Sequence, residues 1–283
     1  MARKINNQKF LDSLTKGNLK NVMQYVAKHK DKLSLQIRND YLNIYYCGGN
    51  ILKISTGKNC YHFDENYFGD NPKKSEEKDK LIDFLRGKNY EKYFEEAQKV
   101  MDDWFIKHPK PERKYQHELI INNSDETPES DFIIVDIEFM VSVISEYRIN
   151  EKEKNSRNQP RFDIIAIRKR DNMLCVIELK KGTVTLGGNA GIKKHFDDFN
   201  SSIAKNPQPF IEEIRELLQQ KQDLGLLDSK IKKSEECKNP LFMFAYSYSS
   251  EKELEQYENY KKVCKGVPTI YLPNGKLFLQ EQD

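Results

Sequence analysis

The chain has 283 residues, 37% hydrophobic and 32% charged, with a formal net charge of +3. That length allows one large domain or two small ones, and the near balance of charge excludes a protein that holds nucleic acid by bulk basicity alone, though not a basic cleft against an acidic remainder. The five cysteines (Cys47, Cys60, Cys175, Cys237 and Cys264) are odd in number and never spaced C-x-x-C, which argues against a zinc framework or disulfide scaffold and for a reducing cytosol.

From the N-terminus, MARKINNQKF lacks the apolar core of a secretion signal. No apolar run reaches the ~20 residues a bilayer demands, so a cytoplasmic protein without membrane contact is expected. NLKNVMQYVAKHK sets Leu19, Val22, Met23 and Val26 on one helical face. Four short strands follow: LSLQI, YLNIYY, NILKIS and CYHF. Their links RND, CGGN and TGKN carry the Gly, Asn and Asp that hairpins need, which predicts a small antiparallel meander. The tyrosines of YLNIYY suit either base stacking or ordinary β packing. NPKKSEEKDK reads as a loop or a helix start. Helices follow over KDKLIDFLRG, capped by Gly87, and YEKYFEEAQKVMDDWFIKH.

HPKPER breaks the chain, and two domains are divided here, 1–108 and 109–283. Pro111 then opens a helix, ERKYQHELIIN. Strands are expected at 132–142, 162–168 and 174–181, helices at 189–203 and 208–222, then the strand LFMFAYS. The order over 112–247 is αβββααβ, a mixed α/β (α+β) arrangement. SSEKELEQYENYKKV opens with Ser250 and Glu253 spaced as a capping box. PTIYL and KLFL close the chain as short strands.

The central hairpin, RFDIIAIRKRDNMLCVIELKKG at 161–182, sets Asp163, Glu178 and Lys180 among apolar neighbours. If Lys169–Asn172 form the turn, Arg168 faces Met173 and Asp163 faces Glu178. Directly opposed Cβ atoms lie roughly 4.5–5.5 Å apart. Two carboxylates so close repel unless a cation lies between them, and a slip of one residue undoes the arrangement. A divalent ion answers that need, and Lys180 adds a cation on the same face. Carboxylate oxygens suit Mg²⁺ or Mn²⁺. Such an ion polarises a phosphoryl oxygen and activates water. Lys180 can orient or deprotonate that water, or stabilise developing charge. The chemistry implied is phosphodiester hydrolysis.

Phe162-Asp163, fourteen further residues, then Glu178-Leu179-Lys180, on a predicted hairpin followed by a helix, resembles the PD-(D/E)XK nuclease superfamily. That superfamily includes restriction endonucleases, repair nucleases and Holliday-junction resolvases. The resemblance covers roughly 112–247 and implies a restriction-endonuclease-like αβββαβ core. It implies that Asp163, Glu178 and the Leu179 carbonyl hold the metal and that Lys180 serves the attacking water. One departure is Pro160, which stands three residues before Asp163 where the family's proline often directly precedes the acid.

Other positions carry two readings each. In DFIIVDIEFMV, alternation puts Ile133, Val135, Ile137, Phe139 and Val141 on one face and Asp136 and Glu138 on the other. Buried acids need partners. Glu138 reads as a further metal ligand or a contact of Lys180, or both acids lie on a solvated, ion-paired face. Glu118 in KYQHELI matches an acid that family nucleases often carry on this helix, or is a solvated helical Glu. In GTVTLGGNAGIKKHFDDFN, Asn189 can cap a helix with Ile192, His195, Phe196, Phe199 and Ile203 on one face. Lys194 and His195, with Lys181 at the strand end, are candidates for contacting substrate. The alternative is a core-edge histidine beside solvated lysines. EKEKNSRNQPR at 151–161 reads as an exposed loop beside the site. H-E-x-x-H, P-loop, G-x-G-x-x-G and G-x-S-x-G motifs are absent from the sequence.

The expected activity is a Mg²⁺- or Mn²⁺-dependent endonuclease acting on nucleic acid, DNA ahead of RNA. The superfamily's habits suggest restriction, phage defence or repair. The N-terminal part would bind substrate or a partner, and a homodimer or a partner protein stays open. One alternative is a non-catalytic nucleic-acid- or protein-binding protein on the same scaffold. Another is an ordinary α/β protein with a salt-bridged hairpin, its carboxylates splayed or capped by Arg161 or Arg168.

Overall fold

A computed structural model describes residues 3–57, 60–141, 160–183, 186–188, 191–231 and 239–281. Contacts group the chain into two units. The first holds Arg3–Ile121 and Gln219–Asp228, the second Asn122–Leu218 and Ser229–Asp283.

The first unit starts with α1 (Gln8–Thr15), which the sequence reading omits. Asn7 caps it by accepting from Phe10 N at 3.1 Å. In α2 (Lys20–Lys28) the expected stripe of Val22, Met23 and Val26 is buried, with Leu19 just before it. Strands β1 (Ser34–Arg38), β2 (Tyr41–Tyr46), β3 (Gly49–Ser55) and β4 (Tyr61–His62) form an antiparallel meander in chain order. The β2–β3 turn puts Cys47 and Gly48 at φ +48° and +78°, the mirror-image turn whose twist suits a hairpin. A Cβ on Gly48 would lie 2.4 Å from the Arg113 carbonyl oxygen, so glycine is required twice over. The tyrosines of β2 are engaged internally. Lys53 sits 4.3 Å from the Tyr41 ring centre, Asn43 donates to the Tyr45 hydroxyl at 3.1 Å, and Tyr46 donates to Asp102 at 3.0 Å.

Helices α3 (Lys74–Arg86) and α4 (Tyr90–Lys107) follow. Gly87 is the C-cap of α3, but the left-handed residue is its neighbour Lys88, at φ +60°. α4 buries Tyr93, Phe94, Ala97 and Met101, and Tyr93 donates to the Ile51 carbonyl at 2.6 Å. α5 (Pro111–Asn122) begins at its proline. Buried His117 on α5 bonds Ser34 Oγ at 3.3 Å and the Lys32 carbonyl at 3.1 Å. Lys221 likewise donates to Gln36 at 3.0 Å, and Gln220 bonds both backbone groups of Ile5 at 2.9 Å. These bonds group α5 and 219–228 with the N-terminal residues, whereas the sequence reading places α5 beyond a boundary at 108/109.

The second unit is built on a five-stranded mixed sheet, β5 (Phe132–Met140), β6 (Arg161–Arg168), β7 (Met173–Lys181), β8 (Leu241–Tyr248) and β9 (Thr269–Pro273), in that order. β5, β6 and β7 are antiparallel; β7, β8 and β9 are parallel. Apolar runs such as Ile164–Ile167 and Leu174–Ile177 are buried throughout, as strands covered on both faces require. Between β7 and β8 come α6 (Ile192–Phe199), a π-helical turn over Asn200–Ala204 and α7 (Gln208–Asp223), so the expected αβββααβ order holds and the fold is mixed α+β. The proposed cap Asn189 and residues 151–159 of the charged run lie outside the described residues; α6 is preceded by Gly191.

α6 packs Phe196 and Phe199 against Phe242, and α7 packs Phe210 against Phe139. On α8 (Glu251–Lys261), Tyr257 stacks on Tyr246 with ring centres 4.0 Å apart. Ser250 caps α8 as expected, accepting from Glu253 N at 3.3 Å, while the Glu253 carboxylate accepts from Ser249 N at 2.7 Å. KLFL does not form the expected strand. Its backbone is held by a side chain instead: the Asn123 amide donates to Leu277 O and accepts from Leu279 N, both at 2.7 Å. Among the described residues no helix is long and apolar enough to cross a membrane. Cys47, Cys60, Cys175 and Cys264 are free thiols, and Cys237 lies outside the described residues.

Candidate active site

The β6–β7 turn falls on Lys169–Asn172, with Asn172 left-handed at φ +56°. Arg168 therefore faces Met173, and the ladder runs to Ile164 facing Ile177. There it stops. Beyond that point β6 pairs only with β5, through Phe139–Phe162 and Met140–Arg161, and β7 only with β8, through Glu178–Phe244 to Lys181–Ser247. The two strands part, and Asp163 and Glu178 come next in register on either side of the gap. Asp163 Oδ2 accepts from Leu179 N at 2.9 Å, so a side chain continues where the backbone ladder ends.

Glu178 is 2% exposed and Lys180 3%. Glu178 Oε1 accepts from Lys180 Nζ at 2.9 Å and lies 3.1 Å from His195 Nε2 on α6. Glu178 Oε2 is buried and meets no N–H or hydroxyl donor, while the Glu178 and Asp163 carboxyl groups hydrogen-bond each other when one of them holds a proton. Burial raises the Glu178 pKa well above its ordinary value, and the charge of Asp163 adds to the rise while Lys180 opposes it. Burial also raises Asp163; Lys180 and the Leu179 N–H pull it back, and Glu138 pushes it up. Two neighbouring acids that both resist ionisation share a need for a proton or a cation.

Glu138 lies across from Asp163, between the pairs Ile137–Ile164 and Phe139–Phe162. It is exposed, left-handed at φ +47°, and 4.0 Å from Arg161. A bulge at Val135 breaks the expected alternation of β5. Ile133 faces Ile167 and Ile137 faces Ile164, three positions apart, so the two isoleucines fall on opposite faces. Asp136 is fully buried, not on a solvated face. Lys194 is ion-paired to Asp198 one turn on, which leaves its surface reading intact and does not bring it to the carboxylates. Lys181 is exposed at the end of β7. Glu118 belongs to the first unit, where Lys114 approaches it at 3.9 Å. Arg168 is committed elsewhere, to Asp171 at 2.7 Å and Glu281 at 2.8 Å, and does not cap the acids.

Among the described residues no three His, Cys, Asp or Glu side chains gather as a ready metal cage. The residues present nevertheless suit a hard cation. Mg²⁺ keeps several waters and is commonly held by one or two carboxylates plus substrate phosphate. Here Asp163 and Glu178 would supply the carboxylates, and the buried Glu178 Oε2 meets no N–H or hydroxyl donor. The contact of His195 with Glu178 was not legible beforehand; the one signal was its place on the apolar face of α6.

No protein-family model matches the chain, and neither a curated protein nor a solved structure does.

Proposed function

We propose that the chain is a divalent-metal-dependent nuclease with a restriction-endonuclease-like core, hydrolysing phosphodiester bonds of nucleic acid, DNA ahead of RNA. The observation that carries this reading is the pair of buried, facing carboxyl groups Asp163 and Glu178, with Glu178 Oε2 meeting no N–H or hydroxyl donor, at the gap between β6 and β7. Asp163, Glu178 and the Leu179 carbonyl would hold Mg²⁺ or Mn²⁺. When bound, the ion supplies charge that polarises a phosphoryl oxygen. Lys180 orients the attacking water and stabilises charge developing on the phosphate. Exposed Glu138 acts on Asp163 and borders the site, and Lys181, exposed at the end of β7, would meet solvent or substrate.

A second reading has its own support. Lys180 already pairs with Glu178, as a salt-bridged, non-catalytic scaffold would require. Cleavage assays separate the two. Single- and double-stranded DNA and RNA are incubated with Mg²⁺, Mn²⁺ or EDTA, using wild type, Glu178→Ala and Lys180→Ala. The nuclease reading expects metal-dependent cutting, reduced about 10²-fold or more in each variant. No cutting and no divalent-ion binding by the wild type would leave the scaffold reading in front.

A further inference from the structure

We propose that His195 is a positioning residue that fixes the Glu178 carboxylate for the cation, an inference that rests on the nuclease reading. Glu178 has three side-chain torsions to hold, and the Lys180 bond at 2.9 Å fixes one oxygen from one side only. Lys180 sits two residues along the same strand, so its bond to Glu178 lies within one element. His195 approaches from a different element. Its Nε2 lies 3.1 Å from Glu178 Oε1, the oxygen that Lys180 also holds. That contact is a hydrogen bond when the ring carries its proton on Nε2. Two donors from two elements then pin Oε1, and Oε2, which meets no N–H or hydroxyl donor, remains for the ion beside Asp163. Outer partners of this kind orient the groups that bind a metal.

The position of α6 is itself specified. A Cβ on Gly191 would lie 2.7 Å from the Gly187 carbonyl carbon, so the chain closes tightly there only with glycine. Ile192 N then bonds Leu186 O at 3.1 Å and His195 N bonds Gly191 O at 3.2 Å, which starts the helix where its first turn brings His195 to Glu178. Phe196 and Phe199 anchor that turn on Phe242.

The test is Mn²⁺ affinity, read by electron paramagnetic resonance and calorimetry on the full chain, for wild type, His195→Leu, His195→Gln and Glu178→Ala. Melting curves confirm that each variant is folded. Leucine removes the donor. Glutamine returns an N–H at similar reach. The expected result is a loss in affinity of about 10–100-fold in His195→Leu, restored to within roughly threefold in His195→Gln. Cleavage by His195→Leu should recover at saturating Mn²⁺, because its defect lies in holding the ion. If His195→Leu binds Mn²⁺ like wild type while Glu178→Ala does not, the positioning role is overturned and the nuclease reading stands. A folded His195→Gln as weak as His195→Leu overturns the role of the N–H. Wild type that binds no Mn²⁺ overturns both readings.

Discussion

Glu178→Gln preserves shape and replaces a titrating acid with a neutral amide. The glutamine oxygen still accepts from Lys180 and His195, while its amide nitrogen replaces Oε2 and donates towards Asp163. When Glu178 is ionised and no divalent ion is bound, that buried oxygen has no N–H or hydroxyl donor, a cost of about 1–3 kcal/mol. Against the gain, the 2.9 Å bond from Lys180 loses its charge assistance, about half of roughly 1.5–3 kcal/mol. Once the acid is ionised, at the alkaline end of the range, the balance favours glutamine by about 1 kcal/mol, or about 2 °C in Tm for a chain of this size. The sign with pH follows from the raised acid. Between the unfolded pKa, roughly 4.3, and the raised folded value, the native state keeps a proton that the unfolded state has lost. Wild-type stability therefore falls as pH rises through that window, by at most about 1.4 kcal/mol per unit. Glutamine does not titrate, so its advantage grows with pH. Saturating Mn²⁺ reverses the order, adding about 2.7 kcal/mol to wild type at a hundred times Kd and nothing comparable to the variant. Thermal melts in EDTA and in Mn²⁺, from about pH 5 to pH 9, read all three effects. A variant less stable than wild type in EDTA across that range, with an unchanged pH slope, would refute the idea that the two acids strain one another.

Asn123→Ala should cost about 3 kcal/mol in urea denaturation, because it strips the partners from Leu277 O and Leu279 N at once. Intact stability there would show that the closing segment is held by something else. His117 has its pKa lowered by burial, so protonation favours the unfolded chain. Stability should fall as pH drops below about 6.5 towards the lowered value, and His117→Gln should flatten that fall relative to wild type. Gly48→Ala should destabilise by about 2–4 kcal/mol, combining a left-handed backbone with a 2.4 Å clash; a melting point within a degree of wild type would contradict the geometry.

The hairpin register was legible because its determinants are local. Four charged and polar turn residues separate two apolar runs, and Arg168–Met173 follows from where those runs end. The meander was legible for the same reason, its links being rich in Gly, Asn and Asp. What failed was decided by distant packing. His117 reads as one more helical residue until its partner Ser34, 83 positions away, is known. The bulge at Val135 has no mark in DFIIVDIEFMV, since a strand as apolar as this satisfies either face. His195 and Lys194 are neighbours of similar promise in sequence, yet one reaches Glu178 and the other Asp198. A rotation of about 100° per residue around α6 decides between them.

The bond from Leu179 N to Asp163 bears on how inactive controls are chosen. Asp163 stitches β6 to β7 where their backbones have already separated. Alanine there deletes the stitch together with the acid, so under the nuclease reading a variant that fails to cleave reports a frayed junction as readily as a missing ligand. Asn keeps an oxygen for the Leu179 amide. Asp163→Asn is the cleaner blank, and any alanine scan across this fork overstates the chemistry of Asp163 by the amount of architecture it removes.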